Sequence, residues 1–168
     1  METQATIENG FVLFWGGCFS NFYPCKIVHE GNEFISSEQL FMYQKAKYFH
    51  DDEIAEKILK AKTPKEAKKL GREIKGFNDR DWAYGREYAM RVALIAKFTQ
   101  NEDLKNELIS SKYDGLEFVE ASPTDRIWGI GYSAEKCFDV SEDMWGMNLL
   151  GKLINQVREY IISQIKKN

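Results

Sequence analysis

The stretch SSEQLFMYQKAKYF, residues 36–49, predicts a helix whose apolar side also carries two charges. At 3.6 residues per turn, Lys45 lies about 20° from Glu38 around the helix axis, and Lys47 projects to the opposite side. Three apolar side chains fall within about 60° of the Glu38 direction: Phe41, Met42 and Phe49. The spacing therefore places a glutamate and a lysine on the same apolar face of one helix.

Two interpretations of this charged pair are open from spacing alone. In the structural one, Glu38 complements the helix macrodipole near the start, and Lys45 extends past its apolar neighbours to water. In the functional one, the face lines a cleft, where desolvation lowers the lysine pKa and a neutral amine becomes a nucleophile. The seven-residue separation, about 10.5 Å along the axis, suits two groups that converge on a ligand between them.

Strand and helix signals along the chain predict an α+β fold, a small sheet packed with several helices. FVLFWGG and KIVHEGNEFI favour short strands and glycine turns before the first helix, which Ser36 and Gln39 begin with a capping-box spacing. Thr63, Pro64 and Glu66 mark the start of a later helix that Gly71 ends. Three further helices are predicted over about 81–99, 102–110 and 147–165, with a short strand in LEFV before the last. Without repeats or a linker, one domain over 1–168 is expected, with its core over about 11–165.

Composition and charge exclude several classes of protein. The net charge of −3 disfavours a general binder of nucleic-acid backbone, although local contact with a modified base stays open. Three cysteines, an odd number without a CxxC pair, fit a reducing cytoplasmic setting. No apolar run approaches the roughly 20 residues of a membrane helix, so no membrane partner is expected. Two histidines outside any ligand cluster give little support for a zinc site, and a hard cation held by carboxylates stays open. The predicted site contains no metal, and no cofactor is predicted.

Two loop motifs add candidate binding groups. GGCFSNFYP combines a glycine turn with the hydrogen-bonding side chains of Ser20 and Asn21 and the ring of Phe19. SPTDRIWGIG presents Asp125 and an indole beside a glycine-rich backbone, which suits ribose hydroxyls and a stacked heterocycle. The structural alternatives are a tight turn closed by core aromatics in the first motif, and a carboxylate that caps its own turn in the second.

Three helix residues are weaker candidates. Arg72 and Arg158 carry guanidinium groups that match phosphate oxygens, although exposed helix arginines are common. Asn148 either orients a hydroxyl or water, or caps the last helix.

Five blocks in order, CFSNFYP, SSEQLFMYQKAKYF, LGREIKGF, EASPTDRIWGIG and WGMNLLGKLINQVR, resemble the NADAR superfamily, also called YbiA-like. The resemblance runs from about Phe14 to Arg158. It implies a hydrolase, an N-glycosidase that cleaves ribose from an exocyclic amino nitrogen. The implied substrates are nucleotide-like small molecules: either ribosylaminopyrimidine phosphates of the riboflavin pathway or ADP-ribosylated guanine, free or in nucleic acid.

The resemblance also implies roles for residues of this sequence. The family's lysine, seven positions after the glutamate, falls on Lys45 as nucleophile, with Glu38 as acid/base and Asp125 as a further catalytic carboxylate. The implied substrate-binding set is Phe19, Ser20, Asn21, Phe41, Arg72, Trp128, Gly129 and Asn148. Gln39 stands where the bacterial pattern has histidine, and glutamine does not titrate near neutral pH.

Alternatives within and outside the enzyme class stay open at this level. Direct hydrolysis through an oxocarbenium-like transition state would use Glu38 and Asp125 without a covalent lysine. A non-catalytic ADP-ribose- or NAD-binding module would use the same aromatic cleft. An interaction protein with a structural Glu38 and Lys45 pair is the third alternative.

Overall fold

The computed structural model describes all 168 residues, and the chain divides into two compact units. A central unit is formed by residues 21–102, and a terminal unit by residues 1–20 together with 103–168. The α+β prediction is confirmed, because short sheets and several helices make up the chain. The single-domain expectation stays a prediction. None of the helices is both long and apolar enough to span a membrane.

The central unit surrounds one helix with three others. Its strands are β3 (Ile27–His29) and β4 (Asn32–Phe34), paired antiparallel, and its helices are α1 (Ser37–Tyr48), α2 (Asp52–Leu59), α3 (Pro64–Gly71) and α4 (Asp79–Gln100). Helix α1 packs against α2, α3 and α4. Every residue from Ser37 to Met42 is buried, polar ones included, because neighbours cover α1 on several sides.

The terminal unit contains a three-stranded sheet covered by the last helix. β2 (Phe11–Phe14) lies between β1 (Ala5–Glu8), antiparallel to it, and β5 (Glu117–Glu120), parallel to it. α6 (Leu149–Lys166) packs against β5, and α5 (Glu102–Leu108) precedes that strand in the chain. Three short 3-10 helices span Ser111–Tyr113, Cys137–Asp139 and Glu142–Met144.

The two predicted cap residues, Ser36 and Thr63, agree with the observed caps, whereas the helices predicted from about 81 and 147 begin at Asp79 and Leu149. The Ser36 hydroxyl accepts a 3.1 Å hydrogen bond from the N–H of Gln39, and the Thr63 hydroxyl accepts one of 3.1 Å from Glu66. The Gln39 side chain does not close the capping box on Ser36, because its oxygen accepts from the N–H of Ile35 instead, at 2.8 Å. The sequence reasoning did not predict β1 or α2.

Candidate active site

Glu38 is held in the first turn of α1 by a polar clamp from residue 21. The carbonyl of Asn21 accepts the main-chain N–H of Glu38 at 3.1 Å. The Asn21 amide oxygen accepts from the hydroxyl of Ser37 at 2.8 Å, and its amide nitrogen contacts the sulfur of Met90 at 3.3 Å. Glu38 is only 7% exposed, at a helix N-terminus whose dipole favours a negative charge. The clamp therefore fixes the backbone from which this buried carboxyl projects.

Lys45 lies two turns further along α1 and is half-buried. Its ammonium nitrogen donates a 3.1 Å hydrogen bond to the carbonyl of Gly71, at the end of α3, and lies 4.5 Å from the centre of the Phe77 ring. Burial lowers the pKa of Lys45, an effect that the charges of Glu38 and Asp79 oppose. The lysine is thus desolvated within the electrostatic reach of a buried carboxyl.

Arg72 follows Gly71 and also acts on Lys45. Its positive charge adds to the lowering of the Lys45 pKa, because two like charges disfavour each other. Arg72 is exposed and lines a cleft beside α3. The central unit therefore brings four of the predicted residues into one neighbourhood around α1: Asn21, Glu38, Lys45 and Arg72.

The structure contradicts direct substrate contact for two of the predicted aromatic residues. Phe19 is 0% exposed, and its ring packs against three others of the terminal unit, Phe14, Tyr113 and Phe118, at centroid distances of 5.9, 5.6 and 4.9 Å. Phe41 is 3% exposed, and its ring lies 5.6 Å from that of Trp82. Both rings belong to the core, which is the structural alternative for apolar residues at these positions. Ser20 is half-buried in the turn, where its N–H donates to the carbonyl of Gly17 at 3.0 Å.

Asp125 makes the turn contacts of its structural alternative. One carboxylate oxygen accepts from the N–H groups of Ile127 and Trp128, both at 2.9 Å. Trp128 is half-buried, and its carbonyl accepts from the N–H of Leu150 at 3.1 Å. Gly129 is required by close packing, since a Cβ there would lie 2.7 Å from the carbonyl oxygen of Glu120. The motif is thus a rigid turn set against the start of α6.

Asn148 occupies the N-cap position of α6, where its carbonyl accepts the N–H of Lys152 at 3.0 Å. It adopts a left-handed backbone with φ of +52°, and its side chain makes no capping bond. Its amide oxygen accepts from the N–H of Glu120 and its amide nitrogen donates to the carbonyl of Phe118, both at 3.0 Å. Both ends of the Asn148 amide are therefore hydrogen-bonded to the main chain of β5. This makes the amide unsuited to binding a substrate hydroxyl. Arg158 is likewise bound to the protein, at Leu108, Ser110 and Asp114.

Three residues next to Lys45 were missed by sequence reasoning: Gly71, Phe77 and Asp79. They come from the end of α3, the loop after it and the start of α4, so helical periodicity along α1 cannot find them. Two of them, Gly71 and Phe77, do lie in the block LGREIKGF. The block LGREIKGF was therefore the sequence signal that could have indicated these two residues.

Comparison with known proteins defines the class of this chain. The sequence model of the NADAR domain matches residues 13–162, so the chain belongs to the NADAR family. The NMR structure of the Escherichia coli protein YbiA is similar to this fold, with a TM-score of 0.77 at 27% identity, over 98% of this chain and 92% of that one.

Individual relatives indicate which class of enzyme the chain belongs to. Protein irg-1 of Caenorhabditis elegans is 40% identical over 89% of this chain and 78% of that protein. An N-glycosidase of Acanthamoeba polyphaga mimivirus is 35% identical over 84% of this chain and 85% of its own length. N-glycosidase YbiA of Escherichia coli is 31% identical over 86% of this chain and 81% of its own length. These relatives indicate that the chain is a hydrolase of the NADAR family.

Proposed function

We propose that this protein is an N-glycosidase that cleaves the bond between ribose and an exocyclic amino nitrogen through a Schiff base on Lys45. Relatives named N-glycosidases support the reaction type. Relatives named riboflavin biosynthesis proteins, of which this chain spans 35% in Vibrio vulnificus and 24% in Zea mays, favour a ribosylated heterocyclic amine. The two substrates are a ribosylaminopyrimidine phosphate and ADP-ribosylated guanine, which share this kind of bond.

The proposal rests on the burial and the hydrogen bonding of Lys45. A lysine is a nucleophile only as the neutral amine, and burial lowers the pKa of this one. Its nitrogen is held by the Gly71 carbonyl, which accepts an N–H from either the charged or the neutral form, so the lone pair of the neutral amine stays free. The opposing effect of the Glu38 charge on the Lys45 pKa supports Glu38 as the group with which the lysine exchanges protons.

The reaction begins when the sugar ring opens and the glycosylamine takes up one proton from solvent, which makes it a protonated imine between its nitrogen and ribose C1. The Lys45 amine adds to C1, and Glu38 accepts the proton released from the attacking nitrogen. Glu38 then donates a proton to the substrate nitrogen, the bond from C1 to that nitrogen breaks, and the free amino base leaves. C1 is now joined to Lys45 as a protonated Schiff base.

Water completes the reaction at the same carbon. It adds to C1 of the Schiff base while Glu38 takes up a proton, and the resulting carbinolamine collapses to the sugar aldehyde. Lys45 departs as a free amine after receiving that proton, and the hydroxyl proton of the carbinolamine returns to solvent. One water is consumed, and one amine and one ribose derivative are released, so atoms and charge balance.

Borohydride trapping tests the covalent intermediate against direct hydrolysis and against a non-catalytic binding module. Each of the two substrates is incubated with enzyme and sodium borohydride, and the protein is digested and analysed by mass spectrometry for a reduced ribosyl adduct at residue 45. Released base is measured in parallel. We expect an adduct on Lys45 and base release with at least one substrate.

Lys47 provides the matched control. It lies on the same helix but is exposed and paired with Asp52 at 2.6 Å. Lys45→Ala should lose both turnover and adduct, whereas Lys47→Ala should keep both. Base release without an adduct, retained by Lys45→Ala, would show direct hydrolysis. Ligand protection in a thermal melt without any product from wild type would show the binding module.

A further inference from the structure

Positive charge is concentrated in one segment of this acidic protein. Residues 57–75 contain eight basic and two acidic side chains, a net charge of +6, whereas the chain as a whole carries −3. All other residues together therefore carry −9. The segment covers the end of α2, the whole of α3 and the turn after it.

Part of this charge lines a cleft of about 570 Å³ within the central unit. Its basic side chains are Lys65, Lys68, Lys69 and Arg72, all exposed, and the ring of Phe22 forms an apolar wall. Phe22 is 40% exposed, and the Lys68 ammonium lies 5.6 Å from the centre of its ring. The cleft thus combines several cations with one accessible aromatic face.

The acidic residue of the cleft does not neutralise it. A carboxylate oxygen of Glu66 accepts the main-chain N–H of Lys62 at 2.8 Å, so this side chain is hydrogen-bonded to the segment before α3. Four cations against one carboxylate leave the cleft strongly positive.

The cleft adjoins the Lys45 neighbourhood. Arg72 lines the cleft and is close enough to Lys45 to lower its pKa, and Gly71, the residue before it, holds the Lys45 nitrogen. A ligand group bound at the Arg72 end of the cleft would therefore lie beside the amine that attacks C1.

We propose that this cleft binds phosphate groups of the substrate, with Lys65, Lys68, Lys69 and Arg72 as the cationic ligands and Phe22 as a stacking surface. The identity of the phosphate as part of the substrate rests on the proposed function, whereas phosphate binding itself does not. Guanidinium and ammonium groups are the usual protein ligands of phosphate oxygens, and an aromatic ring beside them stacks on a base. The phosphate comes either from the nucleotide itself or from the backbone of a single strand that contains the modified base.

Isothermal titration with adenosine 5′-diphosphate, and with adenosine as the phosphate-free probe, tests the cleft without any turnover. Wild type should bind the diphosphate and bind adenosine far more weakly. Lys65→Gln/Lys68→Gln/Lys69→Gln should bind the diphosphate roughly tenfold or more weakly, because charge-assisted bonds are lost. Arg72→Gln alone should give a smaller loss of the same kind.

The matched control removes the same charge from exposed lysines of the terminal unit. Lys136→Gln/Lys152→Gln/Lys166→Gln should bind the diphosphate as wild type does, and circular dichroism should show both triple variants folded. No diphosphate binding by wild type, equal losses in the two triple variants, or no loss in the cleft variant would overturn the proposal. These results do not depend on Lys45, so failure of the glycosidase reaction and failure of the cleft are distinguishable.

A ten-nucleotide oligothymidylate separates the two sources of phosphate. If the cleft binds the phosphate backbone of a single-stranded nucleic acid, the oligonucleotide binds more tightly than the diphosphate. The logarithm of Kd then changes with the logarithm of the salt concentration by about 0.7 per phosphate contacted. If the cleft takes the nucleotide's own phosphates, the diphosphate binds more tightly. In both cases Lys65→Gln/Lys68→Gln/Lys69→Gln should bind the preferred ligand more weakly than wild type does. Unchanged binding of that ligand by this variant would contradict the proposal.

Discussion

Lys45 on α1 and Gly71 at the end of α3 are joined by a 3.1 Å hydrogen bond from the lysine nitrogen to the glycine carbonyl. A carbonyl acceptor positions the amine without giving it an ion-pair partner. It therefore adds no charge of its own to oppose the lowering of the Lys45 pKa by burial. The charges that do act on the lysine are near α1 and can be altered one at a time.

The pH dependence of turnover should report the Lys45 pKa. Because burial lowers this pKa from 10.5, the neutral amine forms at lower pH than in a free lysine, and log kcat/KM should rise with a midpoint below that value. Arg72→Gln removes a like charge, so the pKa rises and the midpoint moves to higher pH. Asp79→Asn removes an opposite charge, so the midpoint moves to lower pH.

The measurement is kcat/KM against pH with whichever ribosylated amine is turned over. Lys47→Gln serves as the control, because Lys47 is exposed on α1 and is not one of the charges that act on Lys45. Midpoints that do not move, or that move in the reverse directions, would show that another group controls the rate.

The buried contact between Ser37 and Asn21 should couple the loop before α1 to the helix. Removing either partner leaves the other without its 2.8 Å hydrogen bond, so Asn21→Ala and Ser37→Ala should each lower the free energy of unfolding by about 1–2 kcal/mol. The double variant should lose less than the sum, by about 1 kcal/mol. Urea unfolding of wild type and the three variants measures this coupling. Strictly additive losses would mean that the two side chains act independently.

Local signals predicted two helix starts of the central unit, those of α1 and α3, because a cap is formed by residues three positions apart. Ser36 and Thr63 both cap as their sequences indicate. The hairpin of β1 and β2 was missed, although its turn is Asn9 followed by Gly10, both with positive φ, which is a strong hairpin signal. α2 was missed because eight residues are too few for periodicity to separate a helix from a loop.

The candidate site was predictable only in part, since its chemistry depends on contacts between distant segments. Spacing along α1 placed Glu38 and Lys45 on one face. It could not show that Gly71 and Phe77 surround the lysine, or that the Phe19 ring points into a core. Those facts depend on how elements pack, which residue types alone do not determine.

Gln39 has a structural role in this chain. Its amide nitrogen donates to the carbonyl of Ile58 at 2.9 Å, and its oxygen accepts from Ile35 at 2.8 Å, so it joins α1 to the end of α2. Gln39→Leu removes both hydrogen bonds and should lower the free energy of unfolding by about 1–2 kcal/mol. Gln164→Leu, on the exposed end of α6, should change it by less than about 0.5 kcal/mol. Equal stability of the two variants in urea would contradict this role.

Asp51 should make the central unit sensitive to acid. Its two carboxylate oxygens accept main-chain N–H groups of Ile54 at 3.1 Å and Lys75 at 2.8 Å, which joins the start of α2 to the segment after α3. These bonds, that from Lys75 first, lower the pKa of Asp51 from 3.8. The folded state therefore binds fewer protons than the unfolded state near this pH. The contribution of Asp51 to stability is complete above 3.8 and is lost as the pH falls through 3.8 to below the folded-state pKa.

Asp51→Asn should consequently be less stable than wild type near neutral pH, and the difference between them should shrink on acidification. Urea unfolding at a series of pH values from about 7 down to about 2.5 measures it, since stability follows proton binding. Asp139→Asn makes the same charge change at an exposed residue and should alter stability near neutral pH by less than about 0.5 kcal/mol. A difference between Asp51→Asn and wild type that stays constant, or grows, as the pH falls would mean that the Asp51 carboxylate does not hold these two segments by its charge.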